Sequence, residues 1–244
     1  MILPHAFNED MHLYQTPGRY VLSTSDIIDL NGLSDYSRIP IATLRAACFR
    51  GKSLHKAVEE YELGRDWQFR LPVEFHEDMD GWFNFRDRYD FNVVGVPETR
   101  YVYLQGAHEI AVGGTIDLRF VYKDCLWICD LKTIHPLYGK ALRFKKLAWR
   151  LQLESYKTAT EMDEQFLCSV GRFSCIRKCI VHIHPKLKPH GFVFHEFEED
   201  DSSLWDSCAV LAMEKVAVGI LPSRRDVSVQ AALEASMAHE EASV

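Results

Sequence analysis

The chain has 244 residues, 47% of them hydrophobic and 26% charged, with a formal net charge of −7 at pH 7. That balance suits a chain with a substantial buried core and excludes a uniformly basic nucleic-acid coat. No apolar run approaches the roughly 18 residues of a membrane span, and "MILPHAFNEDMHLYQ" lacks the basic-then-apolar order of a secretory signal, so a cytosolic protein with no membrane partner is expected.

In chain order, "GRYVLSTSDIIDLNGL" (18–33) predicts a short strand, then a helix capped by Ser23, Thr24 or Ser25 and stopped near Gly32. After Pro40, "IATLRAACFRGKSLHKAVEEYELG" (41–64) places Leu44, Ala47, Cys48, Leu54, Val58 and Tyr61 at helical spacing, with Gly51 able to break or tighten it. "HEDMDGWFNFRDRYDFN" (76–92) predicts a second amphipathic helix. "TRYVYLQ" (99–105), "HEIAVGGTIDLRFVY" (108–122) and "CLWICDLKT" (125–133) read as strands. The loop "IHPLYGKAL" leads into a helix over about 143–162, and two more strands follow in "RFSCIRKCIVHIHP" and "GFVFHEFEE". A last helix covers 203–220. The order predicts an α/β fold, a mixed central β-sheet flanked by α-helices, with 1–222 as one unit carrying an N-terminal helical elaboration. Residues 223–244 are expected to form a loosely held tail.

The seven cysteines are an odd number in a chain without a signal, which favours reduced core thiols over a disulfide framework. Cys48, Cys168, Cys175 and Cys179 lack the close pairs of an iron–sulfur ligand set, so no cluster is expected. Charge is unevenly distributed. Between 131 and 153 stand Lys132, Lys140, Arg143, Lys145, Lys146 and Arg150 with no acid, and between 166 and 195 stand Arg172, Arg177, Lys178, Lys186 and Lys188, again with none. Such segregation can build a local anion-binding face or a solvated surface.

The chemistry concentrates in "GGTIDLRFVYKDCLWICDLKT" (113–133). If Lys123 and Asp124 are the two turn residues, Tyr122 pairs with Cys125 and Asp117 faces Asp130; strand periodicity then puts Lys132 on the Asp130 face. Two opposed carboxylates in apolar strands repel and are costly to desolvate unless a cation compensates. Hard divalent ions such as Mg²⁺ or Mn²⁺ take oxygen ligands and keep waters, one of which can attack a phosphodiester. A lysine beside them orients that water or stabilises charge growing on the phosphate. The bland alternative is an edge-strand charge pattern bridged by Arg119 or Lys132. On the helix that follows, Gln152 and Tyr156 stand at i, i+4 and share a face. Lys140, Arg143, Lys145, Lys146 and Arg150 are candidate phosphate contacts, with a solvated helix face as their alternative; Tyr138 or Trp149 is a candidate base-stacking residue. No glycine-rich phosphate loop or G-x-S-x-G is present, so ATPase and serine-hydrolase chemistry have no support.

"GTID" (114–117), "DLK" (130–132) and "QLESY" (152–156), in this order, resemble the PD-(D/E)xK nuclease superfamily, and more narrowly its RecB-like and lambda-type exonuclease branch. "GKSLHKAVEEY" (51–61) resembles that branch's leading helix. The likeness spans less than half the chain, and Ile116 stands where the family's nominal proline would be. It implies a restriction-endonuclease-like core. It further implies that Asp117, Asp130, the Leu131 carbonyl and His55 hold one or two Mg²⁺ or Mn²⁺ ions. Glu59 or Glu60 could share the role of His55. Lys132 would act on the attacking water, and Gln152 and Tyr156 would position DNA or buttress Lys132. The implied activity is a metal-dependent deoxyribonuclease, an exonuclease of recombination, repair or phage DNA processing in a bacterial or phage-infected cytosol. DNA is the implied partner, alongside a homo-oligomer or a single-strand-annealing recombination protein. A structure- or site-specific endonuclease and an inactive nucleic-acid-binding protein on the same fold are the alternatives.

Overall fold

The computed structural model describes residues 1–8, 13–34, 39–95 and 97–222; the expected tail over 223–244 lies outside them. The protein is a mixed α/β structure. Short strands β1 (Ala6–Asn8) and β2 (Leu13–Gln15) pair as a ribbon, and β3 (Val21–Ser23) leads into helix α1 (Thr24–Leu30). Ser23 caps that helix: its hydroxyl accepts from the Asp26 N–H at 3.1 Å while Asp26 accepts from the Ser23 N–H at 3.1 Å. Gly32, at φ 72°, closes it. Helix α2 (Ile41–Glu62) runs unbroken through Gly51, and α3 (His76–Arg88) follows.

Five strands follow in succession, then two helices, two strands and a last helix: β4 (Asn92–Val93), β5 (Thr99–Gln105), β6 (Ile110–Ile116), β7 (Leu118–Tyr122), β8 (Cys125–Lys132), α4 (Gly139–Glu161), α5 (Glu164–Val170), β9 (Cys175–Ile183), β10 (Phe192–Phe197) and α6 (Ser202–Ala217). They do not form one central sheet. A five-stranded mixed sheet has the order β10-β9-β8-β7-β4, and a separate three-stranded sheet has the order β3-β6-β5. The single strand expected over 108–122 therefore divides between two sheets. Helix α4 also begins four residues earlier than expected, and α5 carries no signal that sequence periodicity resolved.

Strand periodicity places the two faces of β8 in different cores. Ile128 joins α1, α4 and α6, with Trp149, Leu151, Leu153 and Trp205. Trp127, Cys129 and Leu131 face α2 and α3, with Leu54, Val58, Trp82 and Phe85. Burying such aromatic and branched side chains stabilises the fold by about 1.5–3 kcal/mol each. Cys125 and Cys175 are register partners on parallel β8 and β9, with Cα atoms 4.9 Å apart, and they form a disulfide. This corrects the expectation that all seven thiols are reduced: residues 50 positions apart in sequence become neighbours only through strand pairing. Cys48 and Cys168 are exposed, on α2 and α5, whereas Cys179 is buried in β9. No described helix is long and apolar enough to cross a membrane.

Helix α4 is fastened by a buried polar cluster. Ser155 on α4 meets Thr24 at 2.9 Å, Tyr101 at 3.0 Å and Tyr103 at 3.1 Å, and the Trp205 indole donates to Tyr103 at 2.9 Å. Gly114 in β6 lies against it, and a Cβ there would overlap the Tyr101 hydroxyl and come 3.0 Å from the Thr24 hydroxyl. The glycine of "GTID" is thus required for packing. Gly114→Ala is expected to destabilise the protein by about 1–3 kcal/mol, read as a lower urea midpoint at unchanged slope; an unchanged midpoint would show that the cluster yields without cost.

Candidate active site

The hairpin register is the expected one: Tyr122 pairs with Cys125 and Leu118 with Cys129, around Lys123 and Asp124 at φ 48° and 61°. Positive φ at both turn residues matches the right-handed twist of the strands. Antiparallel pairing ends at Leu118, however, because β6 belongs to the other sheet, and Asp117 lies between the two strands. On its other edge β8 continues to pair with β9 through Lys132. The facing edge beyond Cys129 has lost its neighbour. The Asp117 carboxylate takes the place of the missing strand, accepting the Leu131 N–H through Oδ2 at 2.8 Å. Leu131 thus engages the site through its N–H.

Asp130 and Lys132 face α4. The Lys132 ammonium is 2.5 Å from Asp130 Oδ2 and donates to Gln152 Oε1 at 2.9 Å. Gln152 Nε2 donates to Asp130 Oδ1 at 2.8 Å and to the Tyr156 hydroxyl at 2.6 Å; that hydroxyl in turn approaches Asp130 Oδ1 at 3.5 Å. The i, i+4 spacing of Gln152 and Tyr156 is what lets one helix face reach one carboxylate twice. Asp130, Lys132, Gln152 and Tyr156 thus meet in a single network.

From the opposite side, α2 brings His55 Nδ1 to 3.4 Å from Asp117 Oδ1. A cavity of about 10 Å³, the size of one water, lies beside this pair. Its walls include Glu59 and Glu98. Glu98 is a residue the sequence reading missed; it sits at φ 56° and its N–H donates to the Asp117 carbonyl at 3.0 Å. No motif marks it, because a loop before β5 brings it there.

Burial and charge divide the two aspartates. Burial pushes the Asp130 carboxyl up to about 6, with the Lys132 ammonium opposing and the Asp117 charge adding to the rise. Asp117 is also driven upward by burial, but His55, Lys132 and the Leu131 N–H outweigh this and hold it below the usual carboxylate range. For His55, burial works to lower its pKa, and the Asp117 carboxylate overrides that and raises it. Glu98 is raised by burial and then by Glu59 and Asp117. Carboxylates crowded into one site separate in this way because both cannot ionise cheaply.

The flanking bases fare differently. Arg150, a candidate phosphate contact, is committed elsewhere: it donates to Asp201 at 2.9 and 2.5 Å and stands 3.2 Å from Glu199. Lys178 of the second basic run is buried and ion-paired with Glu154 at 2.5 Å. Helical periodicity puts Lys145 on the Gln152 face of α4 and Arg143, nine residues from Gln152, on the opposite side, with Lys140 and Lys146 between. Trp149 is 4% exposed and belongs to the core, whereas Tyr138 is 76% exposed. His182 and His184, assigned no role from sequence, engage the Ile134 carbonyl and the Lys186 N–H.

Among the described residues no group of three or more His, Cys, Asp and Glu side chains is arranged to hold a metal ion. The donor types nevertheless fit a hard divalent cation. Asp117, Asp130 and His55 supply two carboxylates and an imidazole, and the buried Asp130 Oδ2 lies 2.5 Å from the Lys132 ammonium, which compensates its charge. In this arrangement Lys132 does electrostatically what a cation would do.

A folded carboxyl held near 6 binds its proton more tightly than the unfolded chain, so its contribution to stability falls as pH rises from about 4 to 6 and stays low above. The lowered Asp117 acts below that window, and the raised His55 acts above about 6.5. Asp130→Asn is therefore expected to match the parent near pH 4 and to exceed its stability by about 2 kcal/mol at pH 6.5. Urea titrations at the two pH values measure the difference, and a gap that does not open across the window would contradict the assignment.

No family model matches the chain, and no curated protein matches it. A solved structure described only as "Crystal structure of SSO0001" is similar over 82% of this chain and 78% of its own, at 13% sequence identity and a TM-score of 0.40. A likeness of that degree carries no argument about fold or function.

Proposed function

We propose that the protein is a Mg²⁺- or Mn²⁺-dependent nuclease acting on DNA, built on a restriction-endonuclease-like PD-(D/E)xK core. The observation that carries this reading is the convergence of Asp117, Asp130, Lys132, Gln152 and Tyr156, with His55 reaching in from the other side, at the point where the two sheets separate. Asp117, Asp130 and His55 are the residues that would hold the ion. When bound, it supplies Lewis-acid polarisation of a phosphate oxygen and a water made acidic enough to attack. Lys132 keeps its ammonium at the mouth of the site, where it can stabilise negative charge growing on the phosphate. Gln152 is a positioning residue, because its amide holds the Lys132 and Asp130 side chains in one geometry. Tyr156 keeps its hydroxyl proton, burial and the two nearby aspartates holding its pKa well above the usual range, so it serves as a hydrogen-bonding support.

One observation favours a second reading, a nucleic-acid-binding protein without catalysis: Asp130 is 2% exposed and already ion-paired. Metal binding separates the two. Mn²⁺ is expected to raise the melting temperature of the parent and not of Asp117→Ala; equal response of both, or none, favours the non-catalytic reading. With end-labelled linear DNA and Mg²⁺ or Mn²⁺, Asp130→Ala and Lys132→Ala should each lower cleavage by about 10²–10⁴-fold at unchanged circular dichroism, and chelation of the metal should abolish it. Cleavage by either variant at the parent's rate would remove these residues from the chemistry. Covalently closed circles left intact while linear ends are degraded would establish an exonuclease.

A further inference from the structure

Two helices overshoot the site in the same direction. Along α2, His55 stands level with Leu131 through Asp117, while four residues earlier Gly51 abuts Thr133, a Cβ there meeting the Thr133 hydroxyl at 3.4 Å; the Arg50 guanidinium donates to the Thr133 carbonyl. Along α4, Tyr156 reaches Asp130 and Gln152 reaches Lys132. Both helices thus run antiparallel to β8, from opposite faces of its sheet, and their N-terminal halves project beyond its C-terminal end. The projecting half of α2 is solvated: Arg45, Ala46, Ala47, Cys48 and Phe49 are all exposed. Tyr138 and Phe144, at the start of α4, are 76% and 48% exposed.

The charge on these projections is one-sided. In a chain of net charge −7, residues 39–58 contain no acid, and neither do 131–153. On α2, Arg50 and Lys56 are held by Asp78 and Glu59. Lys52 and Arg45 are exposed and lie three and ten residues before His55, within a quarter-turn of its face. On α4, Phe144 is eight residues before Gln152, also within a quarter-turn and about 12 Å along the axis; Tyr138 precedes it at the helix cap. Cations therefore line the α2 jaw, and on the α4 jaw solvent-exposed aromatic rings stand beside Lys145, with the aspartates and Lys132 at the base between them.

We propose that these two projections form a jaw for a single-stranded polynucleotide end, with Arg45 and Lys52 contacting phosphates and Tyr138 and Phe144 stacking on unpaired bases. Aromatic rings offered to solvent at a charged groove select the single strand, because only unpaired bases present free faces to them. The recessed Asp130 is reached by a strand end passing between the helices. This deepens the nuclease reading and rests on it only for where the scissile bond would lie.

The test is binding without cleavage: fluorescence anisotropy of labelled dT20 and of a 20-base-pair duplex in EDTA. The parent is expected to bind dT20 more tightly than the duplex. Tyr138→Ala/Phe144→Ala should weaken dT20 binding at least about 10-fold, and Tyr138→Trp/Phe144→Trp should restore it. Arg45→Ala/Lys52→Ala should weaken binding and flatten its logarithmic salt slope by about 1–1.5. Tighter binding of the duplex by the parent, unchanged dT20 affinity in either alanine pair, or an oligomer that the aromatic pair converts to monomer in sedimentation would each overturn the proposal; the last would make the jaw an interface between copies. If binding behaves as expected while Mn²⁺ elicits no cleavage, the jaw stands and the nuclease reading falls.

Discussion

The site depends on one interrupted strand. Because β6 and β7 belong to different sheets, the chain turns out of register at Asp117, and β8 runs three residues past its antiparallel neighbour. An unpaired backbone N–H at a partly buried edge is costly, and here a carboxylate satisfies it. That bond fixes Asp117 against the β8 edge next to Asp130, where His55 of α2 meets Asp117 while Gln152 and Tyr156 of α4 meet Asp130. A continuous strand would have covered the edge and left neither helix a route in.

Around that opening the protein balances charges it cannot hydrate. Asp130 is almost fully buried, and the Lys132 ammonium compensates it, itself steadied by the Gln152 amide. His55 performs the same service for the more exposed Asp117. Each carboxylate thus has its own cationic or imidazole partner, and their pKa values move apart accordingly. Gln152 and Tyr156, neither of them charged, belong to this site because their amide and hydroxyl hydrogen-bond the groups that carry its charge.

The helix that carries those two residues is held at both ends of its buried half. Ser155 ties it to β5 through the Tyr101 and Tyr103 hydroxyls and to α1 through the Thr24 hydroxyl, while Glu154 and Arg150 tie it to Lys178 and Asp201. Buried ionic contacts of this kind add little net stability, but breaking one strands a charge. Their consequence here is positional: the amide of Gln152 meets Asp130 and Lys132 because the next turn of the helix cannot rotate.

Local signals determined much of this. The capping box at Ser23, the helix ending before Gly64, the Lys123-Asp124 turn, the register that follows from it and the shared face of Gln152 and Tyr156 all depend on residues within a few positions of one another, where periodicity and turn chemistry act. The tertiary structure decided the rest. Glu98 enters through a loop, Cys125 finds Cys175 across parallel strands, Arg150 is claimed by Asp201, and the strand over 108–122 divides between sheets. Each of these outcomes is set by partners distant in sequence, and a pattern read along one strand or helix carries no information about what the rest of the chain will place opposite it.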